Sequence, residues 1–279
     1  NALYKQLTKH KAHHGCAVVM EVKTGDIKAI ANLEIGSDGL YHETYNYAVG
    51  ESTEPGSTFK LMSMIVALED GVVDLHDSIN TGDGTVRYYD KVIRDHEEKG
   101  LGKITARDVF EHSSNVGTAK IINENYKDNP RRFVDRLYSM EINKPLGLQI
   151  KGEGKPVIRA PGDKLWSGIS LPMMSHGYEV QMTPLQILTF YNAVANDGKM
   201  VKPRFVTEVR DGNRVVKTFD NEVITNSIAS RSTIRKAQSL LEGVVENGTA
   251  KNLKNANYRI AGKTGTAQIA NAKHGYRSG

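Results

Sequence analysis

Ser57 and Lys60 stand three residues apart in the stretch Glu54-Pro55-Gly56-Ser57-Thr58-Phe59-Lys60-Leu61-Met62-Ser63-Met64-Ile65-Val66-Ala67-Leu68. Pro55 and Gly56 mark a turn, Ser57 opens a helix, and Gly71 is placed to end it. That helix is apolar on almost every side, which is the pattern of a buried one. The spacing puts the hydroxyl and the amine on one face. A lysine in apolar surroundings loses part of its preference for the ammonium form, and a second cation nearby weakens it further. Such an amine can take the proton of a serine hydroxyl and leave a nucleophile. The same two residues also fit a serine N-cap followed by a lysine that snorkels to water. Residues elsewhere have to decide between the two.

Two further polar sets bear on that choice. Thr105 and Asp108 stand in capping-box relation at a helix start. The helix gives way to Ser113-Ser114-Asn115, followed by a second helical segment with Val116, Ala119, Ile121 and Ile122. A short polar triplet between two helices presents its side chains at an edge. Near the end of the chain, Tyr258-Arg259-Ile260-Ala261-Gly262 reads as a strand leading into Lys263-Thr264-Gly265-Thr266.

The elements around these sets follow from pattern. Leu3 and Leu7 predict a helix over residues 2–14 closed by Gly15. Residues 16–22 and 26–33 form a predicted β-hairpin turning at Lys23-Thr24-Gly25-Asp26. A Gly- and Tyr-rich loop over 34–56 precedes the Ser57 helix, and turns with short strands extend to about residue 103. Asn129-Pro130 opens a helix through Phe133, Val134 and Leu137. Residues 145–182 read as a long Gly- and Pro-rich loop holding the one tryptophan, Trp166. Thr183-Pro184-Leu185-Gln186 is an N-terminal helix signature, with Gly198 ending that helix. Asp211-Gly212 turns a second hairpin within 205–219, and Ile234, Ala237, Leu240, Leu241, Val244 and Val245 predict a helix over 233–246.

With 279 residues, 39% hydrophobic and 25% charged, the chain has the composition of an ordinary globular protein able to fill one domain of two lobes. No apolar run reaches membrane-spanning length, and the sequence starts at Asn1 rather than Met, so an excised fragment with any targeting segment missing is expected. One cysteine, Cys16, rules out an internal disulfide. The formal charge is +5, but the basic residues are dispersed with no stripe interleaved with aromatics, which excludes the nucleic-acid classes. His10, His13 and His14, and likewise Asp95-His96-Glu97-Glu98, lack a ligand spacing and read as solvated polar segments. No metal and no cofactor is expected.

Taken in order, Ser57-Thr58-Phe59-Lys60, Ser113-Ser114-Asn115 and Lys263-Thr264-Gly265-Thr266 resemble the S-x-x-K, S-x-N and K-T-G motifs of penicillin-binding proteins and serine β-lactamases. Lys23-Thr24-Gly25 and Ser78-Ile79-Asn80 spell two of the motifs as well, but one precedes Ser57 in a hairpin turn and the other follows it too closely, so both are set aside. Residues 15–30, 54–68 and 177–186 also look like class B penicillin-binding transpeptidases, and Glu54 and Asn115 look more like their septal, cell-division members.

The resemblance implies an α/β (α+β) transpeptidase fold, residues 1–279 forming one domain. An antiparallel sheet lobe would comprise about 1–50 and 190–279 and a mostly helical lobe about 51–189, with the motifs converging in a cleft between the lobes. It implies Ser57 as nucleophile, Lys60 as its base, and Ser113 with Lys263 passing the proton to the leaving amine. Asn115 would anchor Lys60 and substrate, Thr264, Gly265 and Thr266 would bind substrate, and the backbone N–H groups of Ser57 and Thr266 would form the oxyanion hole. The implied reaction is peptidoglycan D,D-transpeptidation at the D-Ala-D-Ala end of stem peptides, with β-lactam antibiotics as inhibitors. A D,D-carboxypeptidase and a β-lactam-sensing domain share the motifs. A class A β-lactamase would need a Glu-x-x-Leu-Asn pattern that the sequence lacks. Further implications are divisome membrane-protein partners and a location on the outer face of the bacterial cytoplasmic membrane, anchored by an N-terminal helix absent from this fragment. The thirteen residues after Thr266 are polar and too few to supply the strands and helix that complete the family's sheet, so its C-terminal strands are expected to be missing here.

Overall fold

Burial is deepest along the Lys60–Glu69 helix, where every residue from Lys60 to Leu68 is inside. Each large apolar side chain taken from water there contributes roughly 1.5–3 kcal/mol, and the sequence supplies Leu61, Met62, Met64, Ile65, Val66 and Leu68 on all sides of the helix. Four helices pack around it: Ala106–Glu111, Asn115–Tyr126, Pro130–Ser139 and Arg231–Glu246. Its end is fixed by Asp70, whose carboxylate accepts from Tyr126 Oη at 2.9 Å and pairs with Arg132 and Arg136. Gly71 follows with φ 67°, a left-handed position that glycine occupies without a Cβ penalty.

The computed structural model describes residues 1–97, 99–266, 269–271 and 275–277, the last two segments as backbone only. Glu98 of the charged loop and residues 267, 268, 272–274, 278 and 279 lie outside the described residues.

The chain divides into two compact units. One comprises residues 1–53, 141–156 and 182–228, the other 54–140, 157–181 and 229–279. This departs from the lobe boundaries expected from sequence in three places. Residues 141–156 and 182–189 leave the helical group, and residues 229–279 join it rather than the sheet, because the apolar face of Arg231–Glu246 packs on Lys60–Glu69 and Ala106–Glu111. Ser57, Lys60, Ser113, Asn115 and Lys263 all fall in the second unit.

In the first unit the predicted hairpin is present as His14–Met20 and Ile27–Ile35, with a third antiparallel strand at Tyr41–His42. Val19 is 57% exposed on it. The first helix, Ala2–His10, stops before Gly15: Lys11 takes the left-handed conformation and its N–H closes on Leu7 and Thr8. The helix after Thr183 is Pro184–Ala195, with both capping-box bonds formed. The second hairpin, Glu208–Asp211 and Arg214–Thr218, is almost wholly exposed.

In the second unit two sequence expectations fail. The segment read as a continuous loop contains a helix, Ser170–Ser175, and a strand pair, Val157–Ile158 with Val180–Gln181, elements too short for periodicity to reveal. Residues 258–266 form no strand. A strand exists only where a neighbour supplies its ladder, and among the described residues none lies beside this segment. The widest sheet among the described residues has three strands, and Ile269–Asn271 pairs with Gly275–Arg277 as a separate two-stranded ladder.

Candidate active site

Ser57 sits in a 3-10 turn, Gly56–Phe59, that runs directly into the Lys60–Glu69 helix. The turn is held from below by residues 175–177. Gly56 N–H donates to Gly177 O at 3.1 Å, and a Cβ on Gly177, whose φ is 92°, would lie 2.0 Å from Gly56 O. Only glycine permits that approach. One turn along the helix, Ser63 Oγ donates to Ser175 O at 2.7 Å. Ser57 is buried, and among the described residues its hydroxyl has no hydrogen-bond partner.

Ser113 is placed by strain and by capping. Its φ of 57° is left-handed, a conformation uncommon for residues other than glycine. Ser114 caps the next helix by accepting from Gly117 N–H at 2.8 Å. Asp95 then ties down the turn, accepting from Ser114 Oγ at 2.8 Å and from Val116 N–H at 2.9 Å. Asn115 Nδ2 donates to Arg94 O at 2.8 Å, which turns its Oδ1 towards Lys60.

Lys60 is fully buried. Its Nζ donates to Ser113 O at 2.6 Å and to Asn115 Oδ1 at 2.6 Å, with Ser113 Oγ at 3.2 Å. Burial, and then the neighbouring Lys263 charge, push its pKa well below the ordinary lysine value, against a smaller opposing pull from Asp95. A neutral amine has two N–H donors, and the Ser113 carbonyl and Asn115 Oδ1 use both. Its lone pair is left for a hydroxyl proton.

Lys263 completes the chain of contacts. Its Nζ donates to Ser113 Oγ at 2.8 Å and to Thr264 O at 3.0 Å, and burial brings its pKa down to about 8. Ser113 Oγ therefore bridges two lysines 203 residues apart in sequence, positions 60 and 263. The segment carrying Lys263 is anchored by Gly262 N–H to Leu241 O at 3.1 Å and by the Thr264 and Thr249 hydroxyls at 2.7 Å. Thr249 N–H in turn donates to the carbonyl of the buried Glu111 at 3.1 Å. Gly265 passes close to Thr58, whose methyl would stand 3.1 Å from an added Cβ. Thr266 is exposed. The structure thus joins Lys60, Ser113, Asn115 and Lys263 directly and brings the Thr264-Gly265 backbone beside the Ser57 turn. It does not place the Ser57 hydroxyl in a hydrogen bond to Lys60, a contact that often tightens only when substrate binds.

Sequence reasoning missed two residues here. Asp95 sits in the segment expected to be a solvated loop, and it reaches Ser114 from 19 residues upstream, a tertiary contact for which the sequence carries no local signal. His176 is buried at 4% exposure beside Lys60, its Nδ1–H donating to Pro172 O at 2.8 Å and its ring set edge-on to Tyr178 at 5.1 Å. Nothing local marks it. The Asp95 geometry carries an expectation: Asp95→Ala should lower stability by about 2 kcal/mol through loss of the two charged hydrogen bonds it accepts from Ser114 Oγ and Val116 N–H. It should also slow any acylation of Ser57, because Ser113 loses its support. Denaturant unfolding checks the first effect, and unchanged midpoints would show that the turn holds itself.

The sequence profile described as "Penicillin binding protein transpeptidase domain" matches residues 15–279. Penicillin-binding protein PbpB of Mycobacterium tuberculosis is 31% identical over 93% of this chain and 39% of its own length. Peptidoglycan D,D-transpeptidase FtsI of Escherichia coli K12 is 29% identical over 95% of this chain and 44% of its own length. The chain thus spans about two fifths of the length of these curated relatives. Among solved structures, penicillin-binding protein 3 of Mycobacterium tuberculosis complexed with aztreonam superposes with a TM-score of 0.81 at 27% identity, covering 99% of this chain and 64% of that one. The apo transpeptidase domain of Burkholderia pseudomallei penicillin-binding protein 3 gives 0.79 at 26% identity, covering 99% and 76%.

Proposed function

We propose that this chain, which belongs to the penicillin-binding protein transpeptidase domain family, is a peptidoglycan D,D-transpeptidase of the septal type working through an acyl-enzyme on Ser57. The observation that carries the reading is the buried contact chain Lys60, Ser113, Lys263, in which the lysine one turn after Ser57 is held towards its neutral form.

In this reading Ser57 Oγ attacks the carbonyl of the penultimate D-alanine while Lys60 Nζ accepts its proton. The proton passes through Ser113 Oγ, with Lys263 as its cationic neighbour, to the departing amine of the terminal D-alanine. The C–N bond breaks and the acyl group stays on Ser57. An amino group of a neighbouring stem peptide then attacks the ester, and the same relay runs in reverse to free Ser57. The backbone N–H groups of Ser57 and Thr266 serve as the oxyanion hole, worth roughly 3 kcal/mol per donor in such sites. Asn115 holds Lys60 and a substrate amide. The Thr264 and Thr266 hydroxyls, at the Gly265 turn, receive the substrate carboxylate beside Lys263. No step needs a metal or cofactor.

β-Lactams fit the same reading, since a strained amide would acylate Ser57 without releasing a leaving group. The M. tuberculosis relative is recorded with aztreonam and with ampicillin. A place on the outer face of the cytoplasmic membrane, among division proteins, goes with the septal reading. Among the described residues no helix is long and apolar enough to cross a membrane.

The test is intact-mass measurement after incubation with penicillin, followed by peptide mapping. One penicillin adduct on the peptide containing Ser57, absent in Ser57→Ala, is the expected result. An adduct on another residue, or none, would overturn the assignment. Release of D-alanine that depends on an added acceptor amine would then separate transfer from hydrolysis.

A further inference from the structure

A groove of about 550 Å³ lies on the second unit away from the lysine pair, lined by the tip of the hairpin Thr85–Tyr88 and Lys91–Arg94, the C-terminal end of Asn115–Tyr126, and the segment around Trp166. We propose that this groove, through Arg87, Tyr88, Tyr89, Asn123, Lys127 and Trp166, binds the glycan strand of the peptidoglycan polymer, an acetylated amino-sugar chain that bears acidic stem peptides. The identity of the ligand rests on the transpeptidase reading above; the groove itself does not.

Three observations carry it. The first is the turn. Tyr88 pairs with Lys91, so Tyr89 occupies the first position of a two-residue hairpin loop, and its φ is 53°. That position ordinarily takes glycine, and for a bulky side chain the conformation costs about 1–2 kcal/mol. The chain keeps an aromatic ring there, 76% exposed. The ring lies against Gly168, where an added Cβ would stand 2.5 Å from Tyr89 Cε2, so the small residue and the strained tyrosine are fitted to one another.

The second is chemistry. Tyr88, Tyr89 and Trp166 offer flat apolar faces with polar edges, the surface on which the C–H faces of a pyranose ring stack. Among the described residues Arg87 and Lys127 have no ion-pair partner, and with the Asn123 amide they can meet acetamido oxygens, ring hydroxyls and a carboxylate. Glu124, near enough to Tyr88 to bear on its hydroxyl, keeps the groove from being a purely cationic one. Two free cations beside three aromatic rings suit a mildly acidic sugar polymer better than a dense polyphosphate.

The third is reach. From Asn115 along its helix to Asn123 is about 12 Å, and to Lys127 about 18 Å. An extended peptide of about five residues covers roughly 17 Å. A stem peptide whose D-Ala-D-Ala end passes Asn115 therefore has the length to leave its sugar at the groove. The hairpin links the two ends physically: Tyr88 packs on the cluster of Ile93, Val116 and Tyr178, while Arg94 and Asp95 at its other end hold Asn115 and Ser114.

Binding of peptidoglycan glycan strands stripped of stem peptides by an amidase, measured by calorimetry on the protein, tests the proposal. Wild type should bind the strands, and Trp166→Ala, Tyr89→Ala and Arg87→Gln should each bind about tenfold or more weakly, while penicillin acylates Ser57 at the wild-type rate in all three. The penicillin rate reports the fold of all three variants. Strand binding unchanged in the variants, absent in wild type, or matched by a polyphosphate of equal length would overturn the groove assignment. Failure of penicillin to acylate wild type would overturn the transpeptidase reading instead, which keeps the two apart.

Discussion

Lys60→Met should cut the rate of Ser57 acylation by penicillin about 100- to 10,000-fold, the range a positioned general base supplies, while leaving the protein folded and changing how its stability depends on pH. Among the described residues the amine is the one titratable group bonded to both Ser113 and Asn115. Because the Lys60 pKa is depressed from 10.5 in the folded protein, the folded state binds fewer protons than the unfolded state between that depressed value and 10.5. Stability is thereby reduced at neutral pH and rises as pH climbs towards 10.5. Methionine fills the space without a charge, so the variant should lose that rise, keeping only the part that belongs to Lys263. Stopped-flow acylation and denaturant melts from pH 7 to 10 check both halves. A variant that acylates at the wild-type rate would remove Lys60 as the base.

The rate profile of wild type follows from the same two amines. Acylation should fall on the acid side as Lys60 takes a proton, and on the alkaline side near pH 8 as Lys263 loses its charge. In Lys263→Ala the second cation is gone, the Lys60 pKa rises, and the acid limb should move to higher pH. An unmoved acid limb would mean that burial alone sets the Lys60 pKa.

How much of this was legible in the sequence depends on how local each signal is. The capping boxes at Thr105 and Thr183 form as read, because donor and acceptor lie three residues apart and need no tertiary help. The Arg231–Glu246 helix was visible from its single apolar face. The three motifs were visible as motifs, but that Ser113 Oγ would bridge Lys60 and Lys263 depends on a left-handed Ser113, which no propensity predicts. The segment before Lys263 looked like a strand because Tyr258 and Ile260 alternate with polar residues; strand character needs a partner, and none is beside it among the described residues. The unit boundary failed for a related reason: residues 229–266 were grouped by neighbourhood in sequence, whereas the helix they begin with packs on Lys60–Glu69. His176 gave no signal because its importance lies wholly in what surrounds it.

That histidine is the second large expected effect, and it is an effect of acid. His176 is enclosed, its Nδ1–H committed to Pro172 O, its ring against Tyr178, and Lys60 close by. Desolvation first, and the Lys60 charge second, bring its pKa down from 6.5 to about 3, with the Pro172 bond opposing. In the folded protein the ring therefore stays neutral through the range where the unfolded chain takes up a proton. Stability contributed by the neutral ring is fully present above pH 6.5 and is lost progressively as pH falls from 6.5 towards 3. By pH 4 the loss amounts to roughly 3 kcal/mol, a large share of the stability of an ordinary domain. Because Gly177, the next residue, carries the backbone that supports the Ser57 turn, acid should disable acylation along with the fold. His176→Phe keeps an aromatic ring in the site but cannot take a proton. Its stability between pH 7 and 4 should fall less steeply than that of wild type by about that 3 kcal/mol, even if its stability at pH 7 is lower for want of the Pro172 bond. Urea titrations of both proteins at several pH values give the two slopes, and parallel slopes would show that the histidine is protonated in the folded state and that its enclosure is looser than the structure shows.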